Sequence, residues 1–290
     1  MSNLKPVVKW VGGKSLIYDR FKKLFDYSNC KRFYDLFCGS LSLHINNKKL
    51  PNKIYFNDIN KWLINTFEII KKYPDELIKL LKEYNTEEYN NKEKFCEIRK
   101  EYNEYKMKSK LSKDKKIKMA TIFIYLNKRS FNGIYRENSS GKYNVPYREN
   151  KSNIFCEINI RNWNKFLKDT KIIFSNKSYL EFNKFRKGDL VYIDPPYYPS
   201  KKSQFTSYWK LPFKIKEQEE LCNYLKKLDE KGIKWIMSNS PCDEIKDLYK
   251  DFHQESFYIG RQMRSAKGKS DVYEKKYEDN EILITNIYKN

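Results

Sequence analysis

Metal ligands are scarce in this chain. It has two histidines, His44 and His253, and six cysteines at positions 30, 38, 96, 156, 222 and 242 with no CxxC pair. Those spacings match no zinc site and no disulfide framework, so the reading expects no metal. Long apolar runs are also missing. Nothing approaches the ~18 uninterrupted apolar residues of a membrane-spanning helix. The opening residues MSNLKP lack the apolar core of a secretion signal. The expected location is therefore cytoplasmic, or associated with a nucleoid, a nucleus or a viral factory, and not secreted. Gly13-Lys14-Ser15 mimics the end of a phosphate-binding loop. That pattern needs glycine at position 8, where Val8 stands, and no strand precedes it, so a nucleotide hydrolase is set aside.

Charge and aromatics are plentiful. Hydrophobic residues make up 40% and aromatics 16% of 290 residues, enough for a sizeable core. The length predicts one catalytic unit plus a second lobe or large insertion. Lys+Arg 59 against Asp+Glu 37 gives +22, which favours a polyanionic partner, most simply nucleic acid. The chain is also rich in Lys, Asn, Ile and Tyr, as AT-rich coding would make it, so charge alone does not name the partner.

Apolar spacing predicts strands at Arg32–Phe37, Lys53–Asn57, Lys171–Ser175, Asp189–Ile193, Ile233–Ser238 and Glu281–Thr285. Helical spacing falls at Asn60–Lys72, Lys118–Asn127 and Glu217–Leu228. Strands alternating with helices predict an α/β core with a largely parallel sheet. The stretch near 61–165 interrupts that alternation and reads as a mainly helical insertion, leaving 1–60 and 166–290 as the core.

The sharpest motif is Asp194-Pro195-Pro196-Tyr197, directly after the strand Asp189–Ile193. Ligands of open α/β sheets bind outside the carboxyl ends of strands, so this motif lies where chemistry is expected. Its prolines remove backbone donors and stiffen the chain, leaving carbonyls free to accept. An exocyclic amine carries two N–H donors, which the Asp194 carboxylate and the Pro195 carbonyl can accept together. That leaves the nitrogen lone pair aimed at an electrophile. Tyr197 can stack on the face of a base turned out of the duplex. Pro241-Cys242 offers a cysteine of the kind used to attack cytosine C5, but beside an intact amine-binding motif it reads as a surface turn. The basic run Arg261–Lys276 reads either as a solvated loop or as an arm that touches phosphates.

The ordered set of motifs resembles the Dam-type (D12 class) DNA adenine-N6 methyltransferases over nearly the whole chain. Lys9-Trp10-Val11-Gly12-Gly13-Lys14 is similar to that family's K-W-x-G-G-K, and Phe37-Cys38-Gly39-Ser40 to its F-x-G-x-G cofactor loop. Asn57-Asp58 resembles its acid after the second strand. Leu126 to Arg129, Phe131-Asn132-Gly133, Tyr135-Arg136 and Gly141 to Pro146 resemble its DNA-recognition segment. Phe205-Thr206-Ser207-Tyr208 and Ser238-Asn239 resemble later family segments. One departure stands out, because Leu41 occupies the place of the loop's second glycine, where a side chain could crowd the cofactor or demand a shifted turn.

The resemblance implies a Rossmann-like S-adenosylmethionine-dependent fold with a helical target-recognition insertion. It implies that Trp10, Lys14, Phe37, Gly39, Asp58 and Asp194 contact S-adenosylmethionine. Asp58 would bind ribose hydroxyls, a role that an acid after a second strand also plays in dinucleotide sites. Asp194, Pro195, Pro196 and Tyr197 would be catalytic, and Lys9, Arg129, Asn132 and Asn144 would face double-stranded DNA. The reaction expected is methyl transfer to N6 of a flipped-out adenine, with GATC as the first target to consider. The enzyme is expected to be a monomer, with a restriction nuclease as one counterpart. An N4-cytosine methyltransferase, an RNA adenine methyltransferase and a silent DNA-binding subunit stay open as alternatives.

Overall fold

The computed structural model describes residues 4–10, 12, 20–21, 23–25, 27, 30–43, 51–199, 213–258 and 280–288. Seven strands form one sheet: β1 (Arg32–Asp35), β2 (Ile54–Asn57), β3 (Ile172–Ser175), β4 (Asp189–Ile193), β5 (Lys234–Asn239), β6 (His253–Phe257) and β7 (Glu281–Thr285). Their order is β3-β2-β1-β4-β5-β7-β6. The first five in that order run parallel, whereas β7 is antiparallel to both β5 and β6. This is a largely parallel α/β sheet, as the alternation of strands and helices predicts, and it is Rossmann-like, as the family resemblance implies.

The central strand shows why a continuous apolar run is needed. All five residues of β4 are buried. Leu190 and Tyr192 enter one core, and Val191 and Ile193 the other, so both faces of the strand are covered. Trp235 and Met237 of β5 join the second core while Ile236 joins the first. The spacing of β6 gave no strand expectation, because its sequence HQESF is polar and only Phe257 is buried. It stands at the end of the sheet order, paired with β7.

Helices α1 (Lys61–Lys72), α2 (Pro74–Tyr84), α3 (Lys92–Lys106), α4 (Lys113–Arg129) and α5 (Glu157–Asp169) follow β2 and precede β3. Asn60 starts α1 by accepting from the Trp62 and Leu63 backbone N–H groups, each at 3.1 Å. Phe67 of α1 stacks on Phe174 of β3, with centroids 6.1 Å apart, and packs against Trp163 of α5 at 5.6 Å. These two helices therefore rest on the sheet. The first core runs without a break from there into α2, α3 and α4. Helix α4 is longer than its apolar spacing suggests and is buried almost all round between Met119 and Asn127. The opposite face of the sheet is covered by α6 (Ile215–Glu230), whose buried stripe is Gln218, Leu221, Cys222, Leu225 and Leu228, and by the short α7 (Asp243–Leu248). No helix among the described residues is long and apolar enough to cross a membrane. Among them no group of three His, Cys, Asp or Glu side chains could hold a metal ion.

Candidate active site

The site is built at the carboxyl ends of β1, β2, β4 and β5. After β2 the buried Asp58 accepts from the Gly39 N–H at 3.0 Å and the Asn60 N–H at 2.8 Å. The same Asn60 caps α1, so the helix start and the carboxylate are fixed together. Burial pushes the Asp58 carboxyl up to about 6, with Asp35 adding to the rise and the two N–H donors opposing it. Asn176 grips the loop from β3, donating to the Asp58 and Ile59 carbonyls at 2.8 Å each. Asn57 adds four bonds, donating to Leu36 O and Lys177 O and accepting from Ser175 Oγ and the Lys177 N–H. Ile59 is left 46% exposed beside the acid, an apolar surface that sequence reading passed over.

The loop after β1 must come close to a tryptophan. Gly39 has φ +48, and a Cβ there would lie 2.8 Å from Trp10 Cδ1. Only glycine fits both demands. Phe37, the other expected loop residue, is half-buried with its ring 5.4 Å from that of Tyr179. Leu41 adopts φ 60, and its side chain is fully buried in the first core. The missing second glycine is thus met by a left-handed leucine anchored in the interior. Lys14 lies outside the described residues, as do Phe205 to Tyr208 and Arg261 to Lys276.

Around the Asp194 motif, the hydroxyl of Ser238 on β5 donates to Asp194 Oδ1 at 2.8 Å. Ser238 also lies 3.0 Å from the Tyr192 hydroxyl. The Tyr197 hydroxyl donates to Glu281, a buried carboxylate at the start of β7. The backbone beyond is clamped: Gln218 Nε2 donates to Pro196 O at 3.1 Å, the Tyr198 N–H donates to Asn239 Oδ1 at 3.2 Å, and Ser240 Oγ donates to Tyr198 O at 2.5 Å. Asn239 belongs to the Ser238-Asn239 segment, whereas Gln218, Ser240 and Glu281 carry no short motif of their own and only their burial as polar side chains reveals them.

A second group of expected residues gathers where α4 ends. Asn127 accepts from the Lys9 N–H at 2.7 Å and donates to Lys9 O and Gly133 O, both at 2.8 Å. It thereby staples the N-terminal segment to the turn Phe131–Gly133. A Cβ on Gly133 would lie 2.6 Å from Lys9 Cδ, so the lysine stem lies across that glycine. Trp10 stacks on Tyr135, with centroids 5.9 Å apart, which connects the loop after β1 to this group. Asn132 has φ 55, is exposed, and accepts from Arg148 at 2.9 Å. Asn144 accepts from Arg136 Nε at 2.8 Å. Phe131 is 51% exposed with the Arg148 guanidinium 5.9 Å from its ring centroid. Lys128 beside Lys9 is lowered to about 8, first by burial and then by that neighbouring charge. Arg129 differs from expectation. It is 3% exposed and donates to the Asn150 and Ser152 carbonyls, so it is turned inward and braces that loop.

The model of the D12 class N6 adenine-specific DNA methyltransferases matches residues 10–265, which include all of the described site residues except Lys9 and Glu281. The chain belongs to that family. It is similar to the Type II methyltransferase M.MjaIII of Methanocaldococcus jannaschii, with 34% identity covering 93% of this chain and 97% of the relative. The Type II methyltransferase M1.LlaDCHI of Lactococcus lactis subsp. cremoris is 32% identical, covering 98% and 96%. The DNA adenine methylase of Escherichia coli K12 is 29% identical, covering 92% of each. Of the readings left open by the sequence, this selects an enzyme that methylates adenine N6 in DNA. A D12 methyltransferase needs a methyl donor and a DNA substrate, and Trp10 lies against Gly39 of the first group and stacks on Tyr135 beside the second.

Proposed function

We propose that this D12 methyltransferase acts on an adenine turned out of double-stranded DNA, with S-adenosylmethionine as donor. The observation that carries this is the convergence of Asp194–Tyr197, Asp58 and Gly39 at the carboxyl ends of three neighbouring strands, β4, β2 and β1. The residues fit the donor. Gly39 lets the loop after β1 lie against the Trp10 ring, and Asp58 is a buried acceptor for ribose hydroxyls beside the apolar Ile59. When bound, S-adenosylmethionine supplies an electrophilic methyl group. Asp194 and the Pro195 carbonyl accept the two N6 hydrogens, and Tyr197 stacks on the extruded base. Alignment of the amine supplies much of the acceleration.

Lys9, Asn132 and Asn144 form the DNA-facing surface of the proposal, joined by Phe131, Arg136, Lys128 and Arg148. Arg129 supports them from behind. GATC is the target to test first, on the strength of the family resemblance. A monomeric enzyme belongs to the same reading, as does a restriction-nuclease counterpart, for which the Type II names of two relatives speak.

The test is methylation of mixed-sequence duplex DNA followed by nucleoside mass spectrometry, with Asp194→Ala in parallel. N6-methyladenine from the wild type alone is expected. Full activity in Asp194→Ala would remove the motif from the chemistry.

A further inference from the structure

Helix α6 carries one polar residue in its buried stripe. Gln218 is 0% exposed and stands where the spacing Leu221, Cys222, Leu225, Leu228 would place another apolar side chain. Burying an amide costs free energy unless every hydrogen bond is made. Both ends of this one are used, and both uses lead to the lip. Its Nε2 donates to Pro196 O at 3.1 Å, and its Oε1 accepts from Asn239 Nδ2 at 3.0 Å. Asn239 is also fully buried, and its Oδ1 accepts from the Tyr198 N–H at 3.2 Å and the Ser240 N–H at 2.8 Å. The two amides therefore close a ring of hydrogen bonds on the backbone just before and just after Tyr197.

We propose that Gln218, acting through Asn239, is a positioning residue that sets the direction of Tyr197 and of the neighbouring Pro195 carbonyl toward the target base. A packing role alone would be filled better by leucine, which has similar volume and no polar group to satisfy. What leucine cannot do is hold Pro196 O and orient the Asn239 amide at once. The fastening is directional, because Gln218 must donate on the Pro196 side and accept on the Asn239 side. The inference rests on the reading of Asp194–Tyr197 as the amine-binding lip.

The experiment compares Gln218→Leu and Gln218→Glu in the full-length enzyme by single-turnover methyl transfer, with S-adenosylmethionine affinity and thermal melting measured alongside. Gln218→Leu is expected to slow methyl transfer at least tenfold, with cofactor affinity within about twofold of wild type. Gln218→Glu keeps the acceptor for Asn239 but, when ionised, has no hydrogen for Pro196 O. Protonated, it restores the donor, and burial raises its pKa into the assay range. Its rate relative to wild type is therefore expected to climb severalfold from pH 8.5 to pH 6, while the ratio for Gln218→Leu stays flat. A wild-type rate in Gln218→Leu, or a pH-independent ratio in Gln218→Glu, overturns the proposal. Should Gln218→Leu fail to fold, the Gln218→Glu series decides alone. Asp194→Ala separates the two levels of the argument: if it stays active the lip reading fails, and if it is dead while both Gln218 variants behave as wild type, only this inference fails.

Discussion

On the proposed reading, Asp58 is the carboxylate that accepts from the donor's ribose hydroxyls. Its two backbone donors hold it in place, yet burial wins and lifts it to about 6. Hydroxyl donors from a ribose would favour the ionised form, so binding must lower that pKa. The sign follows directly: as pH falls through about 6 the free enzyme protonates and affinity drops. S-adenosylmethionine titrations between pH 5 and 8 should show Kd rising toward tenfold per unit below about 6, and Asp58→Asn should bind weakly with no such slope. Tyr197 offers a second residue-scale prediction, because its hydroxyl ends on the buried Glu281. Glu281→Gln keeps an acceptor and should retain most of the rate. Glu281→Leu removes the acceptor of the Tyr197 hydroxyl, a cost of about 1–3 kcal/mol, and should cut methyl transfer by tenfold or more. If Glu281 acts through that hydroxyl, adding Glu281→Leu to Tyr197→Phe should cause little further loss, which a double-mutant cycle reads directly.

At the scale of elements, α3 explains how an irregular segment becomes a defined surface. Arg99, Asn103 and Lys106 lie on one stripe at spacings of four and three. Arg99 donates to Val145 O at 3.0 Å, Asn103 both donates to and accepts from the Tyr143 backbone, and Lys106 reaches Gly141 O at 2.6 Å and pairs with Glu137. The Lys106–Glu137 pair is nearly enclosed, with side-chain exposures of 10% and 3%. Removing one partner from such a pair costs about 3–5 kcal/mol, so Lys106→Ala should lower the melting temperature by many degrees and blur target discrimination. Little of this was legible beforehand. The parallel strands were, because strands covered on both faces must be apolar throughout, and so was the place of the Asp194 motif, because it is written in consecutive residues at the end of a strand. The lobe was not, because side chains reaching backbone carbonyls leave no period in the sequence. Arg129 shows the difference: a conspicuous arginine in a recognition segment turned inward to satisfy the Asn150 and Ser152 carbonyls, while Arg148, beyond the recognised motif, came to the surface beside Phe131 and Asn132. Strand β6, at the end of the sheet order, escaped notice because a strand there need not be apolar.

For the molecule as a whole, the excess of +22 becomes a testable statement once it is divided between general attraction and specific reading. Each phosphate neutralised by a lysine or arginine releases counterions, so duplex affinity should fall steeply and log-linearly with salt. Lys9, Lys128 and Arg148 surround the proposed reading turn. Replacing any one by alanine should reduce the salt slope by about 1 and weaken all sequences alike. Replacing Asn132 or Asn144 should leave the slope unchanged and narrow the gap between target and non-target DNA. Lys128 adds a pH signature, since the free enzyme holds it at about 8 and a neighbouring phosphate would raise it again. Complex formation near pH 8 should therefore take up a proton, and affinity should fall more steeply above that pH than in Lys128→Met. Fluorescence anisotropy over a grid of salt and pH measures both effects. A salt slope unchanged in all three basic variants would move the DNA face away from the end of α4.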